Sequence, residues 1–252
     1  MPAQQIATTL PLINWTVLVG LAVGSFIVVA LARLVTPATK GFLSFTAACA
    51  AGFGLLAYLS DTSLPVIGAG ATVTGDPTYD LPRRVALVAF VVIAVLSMIL
   101  IARGRQARVV LVLGLGAGVL TLVLGALTWG GSPMGAVPLA VQLLILAAAT
   151  GGVFAAMILG HWYLVTPKLP EAPLVLVSRR LLWIVAIQLA LFVWLRLIVG
   201  LVFPLVVSWA ALQTAKTRSM ESATGLLYIN VGTITSGTIL AAGLYFGAGL
   251  LV

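Results

Sequence analysis

Six long apolar stretches, each about long enough to cross a bilayer, dominate this sequence. They lie at roughly 10–34, 41–60, 84–103, 108–128, 138–161 and 222–250, and charged residues, Pro or Gly bound each of them. A helix needs about 20 mostly apolar residues to span the hydrocarbon core of a membrane. The chain is 62% hydrophobic and 7% charged, whereas a soluble domain carries about 25% charged residues. The sequence therefore predicts an all-α protein that crosses a membrane several times.

The stretch from 172 to 215 decides between seven and eight spans, because it is long enough for two helices but has no polar loop at its middle. With eight spans and the N-terminus outside, ten Lys and Arg residues fall inside, and only Arg83, Arg84 and Arg196 fall outside. Seven spans reduce this bias to eight against five. Because loops on the inner side carry the excess of Lys and Arg, we predict eight spans with both termini outside. The N-terminal segment lacks the basic region of a secretory signal, so we expect the first span to be retained.

Two short echoes predict an internal repeat. "LVTP" occurs at 34–37 and at 164–167, and "ARGR" at 102–105 is followed by "AKTR" at 215–218. The first offset is 130 and the second is 113. The difference between the two offsets is about the number of residues by which the outer loop 61–83 is longer than the turn near 196–200. At the second offset Arg83 aligns with Arg196, which places Arg196 at the outer end of a span, where its long side chain can snorkel. We therefore predict two parallel four-helix halves, 1–130 and 131–252, related by an axis along the membrane normal.

Small and polar residues indicate where the helices approach one another. Three G-x-x-x-G spacings predict close helix contacts: Gly20/Gly24, Gly114/Gly118 and Gly243/Gly247. The last span also carries Asn230 and Thr233 on one stripe. Such groups typically hydrogen-bond between membrane helices, and the alternative is that Asn230 and Tyr228 line a cavity with His161.

The two halves differ most where His161, Trp162 and Tyr163 precede the second "LVTP". The simpler interpretation is an aromatic belt at the headgroup level, where Trp and Tyr are enriched. The alternative is a site for a flat amphipathic molecule such as a quinone, whose carbonyls accept hydrogen bonds from His and Tyr and whose ring stacks on Trp. The remaining candidate binding residues lie near the same boundary or within the bilayer: Thr166, Arg179, Arg180, Gln188, Glu221, Tyr228 and Asn230.

The residue inventory argues against several other classes of protein. One His and one Cys, Cys49, cannot build a bis-His haem site or a cysteine metal site, so we predict no metal or covalent cofactor. All five carboxylates lie in loops or at helix ends, which argues against an ion-coupled carrier that holds its ion on an intramembrane acid. The cations are spread between apolar runs rather than clustered on one face, so nucleic acid is not an expected partner.

Two segments resemble motifs of a group of bacterial polytopic membrane proteins: "GHWYLVTP" at 160–167 and "SMESATGLLY" at 219–228. The resemblance covers the second half better than the first, and it implies a bacterial membrane setting without an activity. The predicted plan of eight helices in two bundles is also similar to the quinone-handling membrane subunits of the polysulfide reductase type. That similarity is one of architecture, and no catalytic motif accompanies it.

Together these features predict a multi-pass subunit of the bacterial cytoplasmic membrane that binds a quinone or other lipid-like headgroup in an electron-transfer assembly. Because the chain has little aqueous mass, we expect other subunits to hold the redox cofactors, and we do not expect the chain to be catalytic alone. The alternatives are a small-molecule transporter built from the two halves, and a scaffold or assembly protein with no ligand of its own.

Overall fold

The computed structural model describes residues 3–64, 73, 75–131, 135–166, 169–194 and 202–251. Arg196 and Lys168 lie outside this part of the chain. The described residues form eight α-helices: α1 (Ala3–Val35), α2 (Lys40–Asp61), α3 (Asp80–Ala102), α4 (Arg108–Trp129), α5 (Ala136–Val165), α6 (Ala172–Trp194), α7 (Val202–Lys216) and α8 (Met220–Ala248). A short 3₁₀ helix, Pro77–Tyr79, precedes α3.

The all-α prediction is confirmed, and the ambiguous stretch from 172 to 215 contains two separate helices, α6 and α7. Seven of the helices are long and apolar enough to cross a membrane. The exception is α7, whose 15 described residues extend about 22 Å at 1.5 Å per residue, less than the roughly 30 Å of a hydrocarbon core. The chain is thus a multi-pass membrane protein whose surface contacts lipid.

Local sequence explains where several helices end. Gly104 follows α3 with φ +75°, and Gly249 follows α8 with φ +68°, which is the left-handed conformation that glycine adopts without steric cost. At Gly249 the amide of Leu250 donates back to the carbonyl of Leu244, 3.2 Å away, as in a Schellman motif. Both "LVTP" echoes end a helix in the same way, because the amides of Thr36 and Thr166 each donate to the carbonyl four residues earlier, at 3.0 Å.

The centre of the molecule is the contact between α1 and α5. A Cβ atom on Gly24 would collide with the main-chain carbonyl of Ala147 and would lie 2.8 Å from Cα of Gly151. Gly20, one turn before Gly24 in α1, lies against Ala147, which is one turn before Gly151 in α5, so the two helices run side by side in the same direction. Lipid does not drive helices together, and close backbone approach therefore needs small residues. The predicted contact at Gly20 and Gly24 is confirmed.

The other helices surround this central pair. The first helix, α1, contacts α2 and α4, and α5 contacts α6 and α8. Gly118 of α4 brings the helix against Val23 of α1 and the ring of Phe90, so this predicted small-residue contact is also confirmed. The core between α1 and α3 is aromatic here, with Phe26 and Phe90 edge to face at 5.5 Å between centroids. A buried polar pair joins α5 to α8, with Thr150 Oγ1 2.5 Å from Thr238 Oγ1.

The helix termini define two ends of the bundle. We call the end formed by residues 35–40, 102–108, 165–166, 169–172 and 216–220 the basic end, because most of the cations among the described residues lie at or near it. The opposite end is formed by the described residues 61–64, 75–80, 129–131, 135–136, 194 and 202, together with the start of α1 and the end of α8.

Candidate functional site

Near the basic end, a close approach of α5 and α8 brings the single histidine against a tyrosine. A Cβ atom on Gly160 would lie 2.7 Å from Thr224 Oγ1 and 3.3 Å from Thr224 Cα, so the helices meet here almost backbone to backbone. His161 is the next residue of α5, and Tyr228 is one turn beyond Thr224 in α8. The result is a contact of 3.3 Å between His161 Nδ1 and Tyr228 Oη.

The directions of the two helices explain why these side chains meet. Side chains lean toward the N-terminus of their own helix. His161 therefore leans away from the basic end, toward which α5 runs, and Tyr228 leans toward the basic end, where α8 begins. Both side chains are exposed on the surface of the bundle, Tyr228 by 48%. At 1.5 Å per residue the Cα of His161 lies about 6 Å from the end of α5.

The His161–Tyr228 pair has the chemistry to bind a hydrogen-bonding ligand. A neutral imidazole has one donor and one acceptor nitrogen, and a phenol donates once and accepts. Their separation of 3.3 Å is longer than the range of about 2.7–3.2 Å that is usual for hydrogen bonds between nitrogen and oxygen. Since the pair is loosely made and exposed, either group can exchange its partner for a ligand oxygen at little cost.

The other two members of the His-Trp-Tyr triplet face elsewhere. The Trp162 ring lies over Gly41 at the start of α2, 2.8 Å from the position of a Cβ there, and its centroid is 6.3 Å from that of Phe45. Tyr163 is buried, and its hydroxyl donates to the main-chain carbonyl of Pro170. Successive helical residues are about 100° apart, so the three side chains contact three different surroundings. The structure does not bring the indole or the second phenol to the His161–Tyr228 pair.

Four predicted residues lie near the basic end without contacting the pair through a described hydrogen bond. Thr166, Arg179, Arg180 and Glu221 are all exposed. Glu221 is seven residues before Tyr228, two turns along the same exposed face of α8. Arg180 lines a narrow cleft between α1, α5 and α6, opposite Leu31.

The two predicted amides lie inside the bundle. Asn230 is buried, and its Nδ2 donates to Ser208 Oγ of α7 at 2.7 Å, while the hydroxyl of Thr233 donates to the Asn230 carbonyl. Asn230 is two residues, about 200°, beyond Tyr228 and therefore on the other side of α8. Gln188 is buried on α6, and within the described part of the chain its Oε1 has no hydrogen-bond partner.

Sequence reasoning missed a buried ion pair at the opposite end. Arg83 and Asp61 are each only 1% exposed, and Arg83 donates to Asp61 through Nη1 at 2.5 Å and through Nη2 at 3.2 Å. Arg84 Nε donates to the same carboxylate at 2.9 Å, and Asp80 accepts from Arg83 at 3.0 Å. Within the described residues, the hydrogen bonds to the Asp61 carboxylate come from Arg83 and Arg84, whose positive charges compensate it.

Two tryptophans enclose that ion pair. The guanidinium carbon of Arg83 lies 5.2 Å from the ring centroid of Trp15 and 4.7 Å from that of Trp129. The hydroxyl of Tyr245 donates to the Trp129 carbonyl at 2.9 Å, which joins α8 to the same cluster. The arrangement fastens α1, α2, α3, α4 and α8 together at this end. Asp61 and Arg83 flank the outer loop in the sequence, and that proximity was the only available signal, because nothing local indicates that both are buried.

Among the residues that the structure describes, no three His, Cys, Asp or Glu side chains come close enough together to hold a metal ion. Comparison with protein-family models, with curated proteins and with solved structures finds no match to this chain. The site must therefore be interpreted from its own geometry.

Proposed function

We propose that the protein is an integral membrane subunit that binds the polar headgroup of a quinone or another lipid-like molecule at the His161–Tyr228 pair. The observation behind this proposal is that the only imidazole of the chain contacts a phenol on the exposed surface of the bundle, near the basic end. A ligand dissolved in the bilayer reaches such a pair by lateral diffusion, without entering the bundle. A quinone carbonyl accepts the hydrogen bond that Tyr228 or a protonated His161 nitrogen donates.

We further propose that the basic end faces the cytoplasm of a bacterium, with both chain termini outside. Of the cations in the described residues, two lie at the opposite end, Arg83 and Arg84. Nine lie at or near the basic end: Arg33, Lys40, Arg103, Arg105, Arg108, Arg179, Arg180, Lys216 and Arg218. This is the bias expected of cytoplasmic loops. Maleimide labelling in intact cells tests it, in a Cys49→Ala background with single cysteines at Thr62 and at Arg105. An impermeant reagent should label only the first.

The 4+4 parallel repeat is also part of the proposal, with halves 1–130 and 131–252. Three observations support it. Within each half the first helix contacts the second and the fourth. The first helix of each half also contacts the last helix of the other half, α1 with α8 and α5 with α4. Finally, α1 and α5 run in the same direction. The quinone-handling subunits that this plan resembles work beside cofactor-bearing partners. We therefore propose that other subunits accompany the chain in an electron-transfer assembly.

Binding of short-chain quinones tests the proposed site. Decylubiquinone and a short-chain naphthoquinone are titrated into purified protein in detergent, and binding is measured by calorimetry. We expect His161→Leu and Tyr228→Phe each to weaken binding about tenfold, the effect of losing one hydrogen bond of about 1.4 kcal/mol. The matched control is Tyr58→Phe, which removes the hydroxyl of another exposed tyrosine. Tyr58 lies on α2, near the end of the bundle opposite the basic end. Equal quinone affinity of the wild type and both site variants would refute the assignment of the binding site to the His161–Tyr228 pair.

The two alternatives make different predictions in the same preparation. A transporter should catalyse uptake into proteoliposomes, and this activity should not depend on Tyr228. At the level of Gly24 and Gly151 the two halves touch backbone to backbone, so the centre of their interface offers no path there. A scaffold protein should co-purify with partners and bind neither quinone.

A further inference from the structure

A second lipid-facing feature lies between α2 and α3, away from the α5–α8 surface. It is an open cleft of about 430 Å³ near the basic end, a volume within the range of small-molecule binding clefts, roughly 300–1,000 Å³. Phe45 and Ala48 of α2 form one wall, and Met98, Ile99 and Ala102 of α3 form the other. An apolar cleft that opens to the bilayer admits a hydrocarbon chain.

Two cations flank the end of this cleft. Arg103 follows the last residue of α3, lines the cleft and is exposed. Lys40 begins α2 and lies one turn before Ser44, another residue of the cleft wall, so it shares that face of the helix. Neither cation takes part in the ion pairs found among the described residues, which join Arg83, Arg84 and Arg218 to carboxylates.

The polar group inside the cleft is already satisfied. Ser44 Oγ donates to the carbonyl of Gly41 at 3.1 Å, so it is not needed to bind a headgroup. Recognition at this place therefore depends on charge, with an apolar wall below the two cations. That combination is complementary to an acyl chain that carries a negative headgroup, and basic pockets between membrane helices bind anionic lipids in this way.

We infer that the α2–α3 cleft is a binding site for an anionic phospholipid, with one acyl chain between Phe45 and Ile99 and the phosphate between Lys40 and Arg103. Each cation near a membrane surface contributes about fivefold to the binding of an anionic lipid, so the pair should give about thirtyfold preference over a neutral lipid. Since no side-chain donor selects a particular headgroup, the site should accept phosphatidylglycerol and phosphatidylserine equally.

Native mass spectrometry of the whole chain, released from micelles with phosphatidylglycerol and phosphatidylcholine, tests this inference. We expect wild-type protein to retain phosphatidylglycerol about thirtyfold better than phosphatidylcholine. The double variant Lys40→Gln/Arg103→Gln should lose that preference. Arg108→Gln is the matched control, because Arg108 is an exposed cation at the same end that does not line the cleft. It should retain most of the preference.

A second variant tests the cleft rather than the charges. Ala102→Trp fills the cleft from an exposed position of α3, so the fold should tolerate it, and thermal unfolding in phosphatidylcholine verifies this. We expect retention of phosphatidylglycerol to fall to the level of phosphatidylcholine although both cations remain. Inorganic phosphate at millimolar concentration should not displace the lipid, because it lacks the acyl chain.

Three results would overturn the inference: displacement by inorganic phosphate alone, an equal loss in Arg108→Gln, or full retention in Ala102→Trp. None of them bears on the His161–Tyr228 pair, whose ligand is tested with quinones and with other variants.

Discussion

Neutralising Asp61 should destabilise the protein more than any change at an exposed ion pair. Asp61→Asn keeps the size of the side chain and an oxygen that accepts one hydrogen bond, but it removes the negative charge. The variant leaves Arg83, 1% exposed, with no buried counter-ion. Its remaining carboxylate partner is Asp80, which is 43% exposed and holds Arg83 at 3.0 Å.

The magnitude follows from the burial. Removing one partner of a buried ion pair typically costs about 3–5 kcal/mol of the free energy of unfolding. The rings of Trp15 and Trp129 still stabilise the Arg83 cation, by about 0.5–2 kcal/mol. We therefore expect the lower part of that range, about 3 kcal/mol. Replacing both charges, as Asp61→Leu/Arg83→Met, should restore stability to within about 1 kcal/mol of the wild type, because no uncompensated charge is then buried.

Unfolding in mixed micelles, monitored by tryptophan fluorescence during titration with dodecyl sulfate, measures these free energies. The control is Arg218→Gln, which breaks the pair between Arg218 and Glu171, whose side chains are 74% and 41% exposed. Exposed pairs contribute about 0–1 kcal/mol, so this variant should unfold almost like the wild type. Two results would refute the stabilising role of the buried ion pair. One is a loss of less than about 1 kcal/mol in the free energy of unfolding of Asp61→Asn, and the other is an equal loss in Asp61→Asn and Arg218→Gln.

Three further variants test the packing of the helices. Gly24→Ala should lower the free energy of unfolding by about 3 kcal/mol, because the added Cβ meets the backbone of α5 and overpacking costs about 1–3 kcal/mol or more. Its control is Gly232→Ala, whose Cβ meets nothing within 4 Å. This control should leave the free energy of unfolding unchanged or raise it by up to about 1 kcal/mol. Asn230→Leu removes the donor to Ser208 and should cost about 0.6–2 kcal/mol. The same titration measures all three, and equal losses in the two glycine variants would contradict the described α1–α5 contact.

The positions of the helices could be predicted from the sequence because apolar run length reports directly on membrane spans. The stretch predicted at 41–60 is the helix Lys40–Asp61, and the one predicted at 108–128 is Arg108–Trp129. The hardest case, 172–215, contains two helices in the described residues, α6 and α7, as the eight-span prediction requires, and seven of the eight helices are long and apolar enough to cross a membrane.

The rotation of each helix about its axis could not be predicted in the same way. His161, Trp162 and Tyr163 are neighbours in the sequence and suggested one site, but which of them faces lipid depends on the helices that pack around α5. The partner of His161 is Tyr228, 67 residues away. The sequence included both as candidates, yet it offered no signal that distinguished Tyr228 from Asn230, which is buried on the other side of α8.

Burial at the opposite end was missed for a related reason. Asp61 ends α2 and Arg83 lies in the first turn of α3, and charged residues at helix ends usually reach water or headgroups. Here Trp15 and Trp129 come from two other helices to cover them. A single sequence contains no local pattern for such a contact, because all four residues belong to different helices.

The proposed ligand is tested most directly by what the protein retains from its own membrane. Wild-type protein, the double variant His161→Leu/Tyr228→Phe and the control Tyr58→Phe are extracted gently and purified side by side. Organic extracts of each are then analysed by mass spectrometry. We predict stoichiometric quinone or a quinone-like lipid with the wild type and the control, accompanied by cofactor-bearing subunits, and its loss from the double variant. An extract that holds only bulk phospholipid in all three would contradict the proposal and leave His161 and Tyr228 as belt residues of a transporter or a scaffold.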